Sequence, residues 1–209
     1  MWCSEECPDP FKSAEGKDKL QQFCRDRKGV AIKDFRLEGP EELYELLDPK
    51  YNLKIIRLVR DPRSMLVSRR KMGPLYKDQA TKEGIYKDCA KNLDFFLDSK
   101  TRENTLFVRY EDIARTPIES AKYIYDHFRI PLNDDLLRNF ENATHTETED
   151  QKGIFTVNKA KNESEIFDGW RRKTGTLVKS KEIKEIEAKC KVMMKLFGYK
   201  RNILERNIS

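Results

Sequence analysis

One stretch of the sequence sets side chains capable of chemistry at the junction between a strand and a helix. It reads Ile55-Ile56-Arg57-Leu58-Val59-Arg60-Asp61-Pro62-Arg63-Ser64-Met65-Leu66-Val67-Ser68-Arg69. Residues 53–59 are an apolar, β-branched run broken only by Lys54 and Arg57, the pattern of a buried strand. Asp61 suits a helix N-cap and Pro62 the first helical position, which predicts a helix to about Met72. Arg60 therefore ends a strand, and ligands of open α/β sheets collect outside the carboxyl ends of strands. The adjacent helix N-terminus offers free N–H groups and the positive end of a dipole, both suited to a phosphate. The planar guanidinium of Arg60 can hold such an anion through two hydrogen bonds. Ser68 lies two turns along the helix and shares a face with Ser64, so its hydroxyl can add a contact. The same pattern also describes a capped helix with a surface ion pair, and local physics weighs the two readings about equally.

The elements that must position this junction can be read on both sides of it. Val30-Ala31-Ile32 predicts a strand ending in Lys33-Asp34-Phe35-Arg36, and Lys17 to Arg27 a short helix before it. Helices are predicted over 40–47, 84–98, 117–128, 132–142 and 181–196, and a strand over 105–109. Strands alternating with helices imply βαβ units, hence an α/β fold with a parallel sheet flanked by helices. No repeat or linker interrupts the chain, so one domain over residues 1–209 is the simplest organisation. On this layout Lys33 and Arg36 end a neighbouring strand, and Asp34 is the only acid placed beside the junction.

Composition narrows the function classes. The 209 residues are 38% apolar and 37% charged, with 42 basic and 36 acidic residues and a net charge of +6. That excess suits an anionic ligand, but acids interleave the basic residues, which speaks against nucleic acid. No run of 18 apolar residues spans a membrane, and the first residues lack the pattern of a signal peptide. Five cysteines form no C-x-x-C pair, and His127 and His145 lie far from all of them, so no metal site is expected. Sequons at Asn142, Asn162 and Asn207 mark candidate glycosylation sites and lean toward a lumenal compartment.

The run Leu58-Val59-Arg60-Asp61-Pro62-Arg63 with Ser68-Arg69 resembles the 3′-phosphate-binding motif of Golgi carbohydrate sulfotransferases. The nearest branch is the galactose, N-acetylglucosamine and N-acetylgalactosamine 6-O-sulfotransferases. Val30 to Arg36, Leu106-Phe107-Val108-Arg109-Tyr110-Glu111-Asp112-Ile113-Ala114, Phe155-Thr156-Val157, Trp170-Arg171 and Leu196 to Lys200 follow in that family's order. The resemblance implies a P-loop-like parallel sheet flanked by helices and 3′-phosphoadenosine-5′-phosphosulfate as co-substrate, with no metal. It implies that Arg60 and Ser68 hold the 3′-phosphate, and that a glycan of a glycoprotein, glycolipid or proteoglycan accepts the sulfuryl group. It also implies the Golgi lumen, with membrane contact only through an anchor not present in this sequence. Lys33 and Arg36 are then candidates to face the sulfuryl group, and Asp34 is a weak candidate base. Arg63 and Arg69 are read as supports, and Arg109 to Asp112 as architecture. Trp170 either stacks on adenine or anchors the last helix, and the anchor is favoured.

Helical spacing sets Cys89 with Leu93 and Phe96, and Cys190 with Ile183, Ile186, Met193, Met194 and Phe197, so both thiols are expected to face inward. Two buried free thiols would fit this as well as a bridge. The resembling family carries a cysteine at both places, which implies a Cys89–Cys190 disulfide.

One departure from the family is plain. The Gly/Ser-rich loop that cradles the 5′-phosphosulfate has no counterpart, since Gly16, Gly29 and Gly39 are isolated. The expectation is thus a sulfotransferase-like domain incomplete at its N-terminus, either a fragment of a longer enzyme or a catalytically inactive nucleotide- or glycan-binding module. A nucleotide kinase would need a Gly-x-x-x-x-Gly-Lys-Ser/Thr loop, which is absent.

Overall fold

The computed structural model describes residues 16, 18, 19, 22, 26, 29–34, 37–145 and 169–200. The chain divides into two units, Met1–Leu37 and Glu38–Ser209. In the first, Gly16, Asp18, Lys19 and Gln22 are helical, and the rest of the predicted helix falls mostly outside the described residues. The predicted strand at Val30-Ala31-Ile32 does not form. These residues take no secondary structure, with Val30 62% and Ile32 84% exposed. Three residues cannot hold strand geometry without a partner's hydrogen bonds or an apolar face to cover them.

In the second unit, residues Pro40–Leu47 form a 3-10 helix after Gly39, where an ordinary helix is expected. Strand β1 (Ile55–Val59) leads through Arg60 and Asp61 into helix α1 (Pro62–Lys71). A 3-10 turn (Gly73–Tyr76), helix α2 (Lys82–Leu97) and the short α3 (Ser99–Arg102) then cross back to strand β2 (Thr105–Arg109). β1 and β2 pair in parallel, with Ile55 opposite Thr105 and Val59 opposite Arg109. This is the expected βαβ unit, with helices supplying the crossover. Helices α4 (Tyr110–Arg115), α5 (Pro117–His127) and α6 (Asp134–His145) follow. β1 is less buried than its sequence implies. Ile56 and Leu58 are half exposed, because β2 is its one partner among the described residues.

The long closing helix divides in two, α7 (Ser180–Lys189) and α8 (Lys191–Leu196). The break falls at Cys190, whose backbone leaves helical geometry (φ −90°, ψ 10°). Gly198, at φ +72°, ends the segment in the left-handed conformation that glycine tolerates. Val59, Leu66, Ile85, Ile183, Ile186 and Met193 form one core between β1, α1, α2, α7 and α8. Cys89 and Cys190 meet inside it in a disulfide, Cα to Cα 5.6 Å, joining positions 101 residues apart. The inward stripe of α2 is Ile85, Cys89, Asn92 and Phe95. Leu93 and Phe96, expected beside Cys89, are half buried at its edge.

Candidate anion site

The carboxyl end of β1 is held by buried polar bonds. Asp61 caps α1, its Oδ1 accepting from the backbone N–H of Arg63 at 2.9 Å. The Arg63 guanidinium folds back on the same carboxylate, through Nε to Oδ1 (3.0 Å) and Nη2 to Oδ2 (2.7 Å), and donates through Nη1 to Glu187 Oε1 (2.6 Å). Both residues are 3% exposed. Burial opposes the charge on Arg63, but its bonds to Asp61 and Glu187 outweigh burial and raise its pKa. The carboxylate beside the helix N-terminus thereby shares the Arg63 cation with Glu187.

A second buried acid fixes the turn. Glu111, at the start of α4, accepts the backbone N–H of Asp61 on Oε1 (3.0 Å) and the Tyr199 hydroxyl on Oε2 (2.8 Å). Burial raises the Glu111 carboxyl above its ordinary pKa and raises the Tyr199 hydroxyl likewise. The parallel register makes this meeting possible, since opposing Val59 with Arg109 sets the exits of both strands side by side.

Arg60, three residues before Arg63, is arranged quite differently. Its Nη1 donates to Ser68 Oγ at 3.3 Å, so the two residues singled out from the sequence do meet. Its guanidinium lies over the Tyr110 ring, 4.2 Å from the centroid. Its Nε is buried and has no hydrogen-bond partner among the described residues. A planar cation is therefore fixed on two sides, with hydrogen-bonding capacity left over. Ser64, one turn before Ser68, is buried. Tyr110 was missed as a partner of Arg60. Its signal was its place one residue beyond β2, level with Arg60 beyond β1.

The other singled-out residues divide clearly. Arg69 donates to Asp88 Oδ2 (2.6 Å) and to the Gln79 carbonyl (3.2 Å), as a support should. Arg63 is also a support, but a buried one rather than part of a solvent face. Trp170 is 2% exposed within the core, with Arg63 and Arg171 over its ring, so it anchors the segment before α7. Lys33 and Asp34 are exposed on non-strand backbone in the first unit. Without a strand at 30–32 they have no strand end to occupy. Arg36, Asn162 and Asn207 lie outside the described residues, while Asn142 is exposed on α6. A groove lined by Phe107, Arg109, Asp112, Glu119 and Tyr123 flanks β2, but neither Arg60 nor Ser68 lines it. No cluster able to hold a metal occurs among the described residues. Nor is any of their helices long and apolar enough to cross a membrane.

A family model described as a sulfotransferase domain matches residues 43–193, a span that contains β1, α1, β2 and the closing helices. The chain belongs to this family. Its parallel pair flanked by helices is accordingly the α/β sulfotransferase fold. Carbohydrate sulfotransferase 3 of Homo sapiens is 31% identical over 203 residues, covering 86% of this chain and 40% of the relative. Carbohydrate sulfotransferase 1 of Rattus norvegicus is 32% identical over 142 residues (59% and 34%), and that of Danio rerio 34% over 133 residues (53% and 31%). This sulfotransferase-domain chain spans about two fifths or less of the length of these curated relatives. No solved structure matches it.

Proposed function

We propose that the mouth formed by Arg60 and Ser68 binds the 3′-phosphate of 3′-phosphoadenosine-5′-phosphosulfate, and that the protein serves sulfuryl transfer to a sugar hydroxyl of a glycan. The observation that carries the reading is the posture of Arg60, stacked on Tyr110, bonded to Ser68 and left with an unused buried Nε. The α1 N-terminus adds the positive end of its dipole beside this mouth, while its Asp61 and Arg63 N–H groups are already taken by Glu111 and Asp61. The glycan acceptor follows from the names of the relatives, and placement in the Golgi lumen from the family resemblance of the sequence. The exposed Asn142 sequon and the Cys89–Cys190 disulfide suit that oxidising compartment.

In the reaction the sugar oxygen bonds to sulfur as the bond from sulfur to the 5′-phosphate oxygen breaks. The sugar proton passes to a base, and 3′-phosphoadenosine-5′-phosphate leaves. Such transfer needs in-line positioning and donors for the developing charge. The 209 residues hold no glycine-rich cradle for the 5′ end. Lys33, Asp34 and Arg36 remain candidates for that end only by resemblance. The same lack supports a second reading, in which the chain binds nucleotide or glycan without transferring sulfate.

Calorimetric titration with 3′-phosphoadenosine-5′-phosphate tests the first claim. Arg60→Ala is expected to weaken binding by about 1.5–3 kcal/mol, the worth of charged hydrogen bonds. Equal affinities would remove Arg60 from the site. Labelled donor with galactose, N-acetylglucosamine and N-acetylgalactosamine glycans separates the two readings, and this chain alone is expected to transfer nothing. Transfer above a no-protein control would place the donor loop within these residues.

A further inference from the structure

The positive charge of this protein is concentrated in one place. Residues 171–200 contain ten of the 42 basic residues and three of the 36 acidic ones. The other 32 basic and 33 acidic residues nearly cancel, so the net +6 of the chain comes from this segment. Interleaved acids, read from the sequence, argue for a mixed and neutral surface. The fold removes them from it. Glu182 pairs with Arg70 of α1 at 2.7 Å, Glu185 with Lys82 of α2, and Glu187 with the buried Arg63 at 2.6 Å. All three carboxylates of α7 thus face its neighbours, together with the buried Ile183, Ile186, Met193 and Met194.

What remains outward is cationic. Lys181, Lys189, Lys191 and Lys195 are exposed, and none has a carboxylate partner among the described residues. Lys191 and Lys195 are one turn apart on α8, as are Lys181 and Lys184 on α7. At 1.5 Å per residue, Lys181 to Lys189 extends over roughly 12 Å of α7, and α8 carries Lys191 and Lys195 beyond the break at Cys190. Like charges held on one face repel each other, a cost that a polyanion lying along the face would relieve.

We propose that the outward face of α7 and α8 is a docking surface for a polyanionic glycan chain. The proposal extends the functional reading from the nucleotide to the acceptor, and takes its carbohydrate class from that reading. The chemistry of the face favours a glycan over other polyanions. Lysines are flexible point charges that follow sulfate or carboxylate groups without bidentate geometry. The face lacks the exposed aromatic side chains on which single-stranded bases stack, since Tyr199 is buried and Phe197 half buried. The apolar side of α7 is spent on the core, and on α8 the exposed large apolar side chains are Val192 and Leu196, a small patch for entering a membrane.

The test uses the full chain and four probes: chondroitin sulfate, uncharged dextran, single-stranded oligothymidylate and vesicles containing phosphatidylserine. The expected result is salt-sensitive binding to chondroitin sulfate that exceeds binding to the other three. A triple variant, K181E/K191E/K195E, should lose at least tenfold in that affinity. Its unfolding midpoint and its affinity for 3′-phosphoadenosine-5′-phosphate should match the wild type. These controls separate loss of the face from loss of the fold, and failure here from failure at the nucleotide mouth. Unchanged chondroitin sulfate affinity in the variant overturns the proposal, as does tighter binding to oligothymidylate or vesicles.

Discussion

Arg60 and Arg63 lie three residues apart in the same motif, yet the fold treats them as opposites. Arg63 is 3% exposed and spends its guanidinium on Asp61 and Glu187. Arg60 faces a hydroxyl and an aromatic ring, and its Nε has no acceptor among the described residues. The contrast teaches how to tell a structural arginine from a binding one. A structural cation is spent on carboxylates, while a binding cation is held by neutral groups that leave its charge for a ligand. Arg63 also serves Arg60 indirectly, because it offsets part of the Asp61 charge at the helix entrance.

Breaking Arg63 should have the largest effect. Arg63→Ala leaves two buried carboxylates unmatched and should cost about 3–5 kcal/mol of stability in denaturant unfolding. A loss under about 0.5 kcal/mol would mean that the buried triad is not what holds α7 to α1. Removing the Cys89–Cys190 bridge tests the same packing by another route. The double alanine variant should lose roughly 2–5 kcal/mol. Recovery of both cysteines in alkylated form from unreduced protein would contradict the bridge itself. Arg60→Ala should sharpen the contrast, since it removes no carboxylate's partner. Its stability should fall by about 1 kcal/mol, the worth of one neutral hydrogen bond and a ring contact.

The smallest effect belongs to the half-buried pair of Arg70 and Glu182. The hydrogen bonds from Arg70 hold the Glu182 carboxyl at about 2, well below its ordinary value. A depressed folded pKa gives stability that is present above about pH 4.5 and is lost as pH falls toward 2. Glu182→Gln should therefore cost under 1 kcal/mol at neutral pH, as screened pairs do. The difference from wild type should shrink as pH drops through that window. Thermal unfolding of both proteins from pH 6 to pH 2.5 measures it, and a difference that grows in acid would contradict the sign.

The local parts of this contrast were legible in the sequence. β2 forms over the residues its apolar pattern marks, and Asp61-Pro62 opens a helix as capping chemistry requires. Inward-facing cysteines followed from helical spacing. The division of labour between Arg60 and Arg63 was not legible, because the decisive partner of Arg63 lies 124 residues away. The carboxylates of α7 misled in the same way, since their inward turn depends on partners in α1 and α2. Val30-Ala31-Ile32 misled for the opposite reason. Its β propensity is real, but three exposed residues without a partner cannot act on it. Periodicity reports local preference, whereas pairing across the fold decides which charges are spent.

The most direct measurement compares two nucleotides on two proteins. Wild type and Arg60→Ala are titrated by calorimetry with 3′-phosphoadenosine-5′-phosphate and with adenosine 5′-phosphate, which differ only in the 3′-phosphate. Wild type should prefer the 3′-phosphorylated nucleotide by about 10- to 150-fold, equivalent to about 1.5–3 kcal/mol. Arg60→Ala should bind the two nearly alike. A preference that survives in Arg60→Ala, or is absent from wild type, would contradict the assignment of the Arg60–Ser68 mouth to the 3′-phosphate.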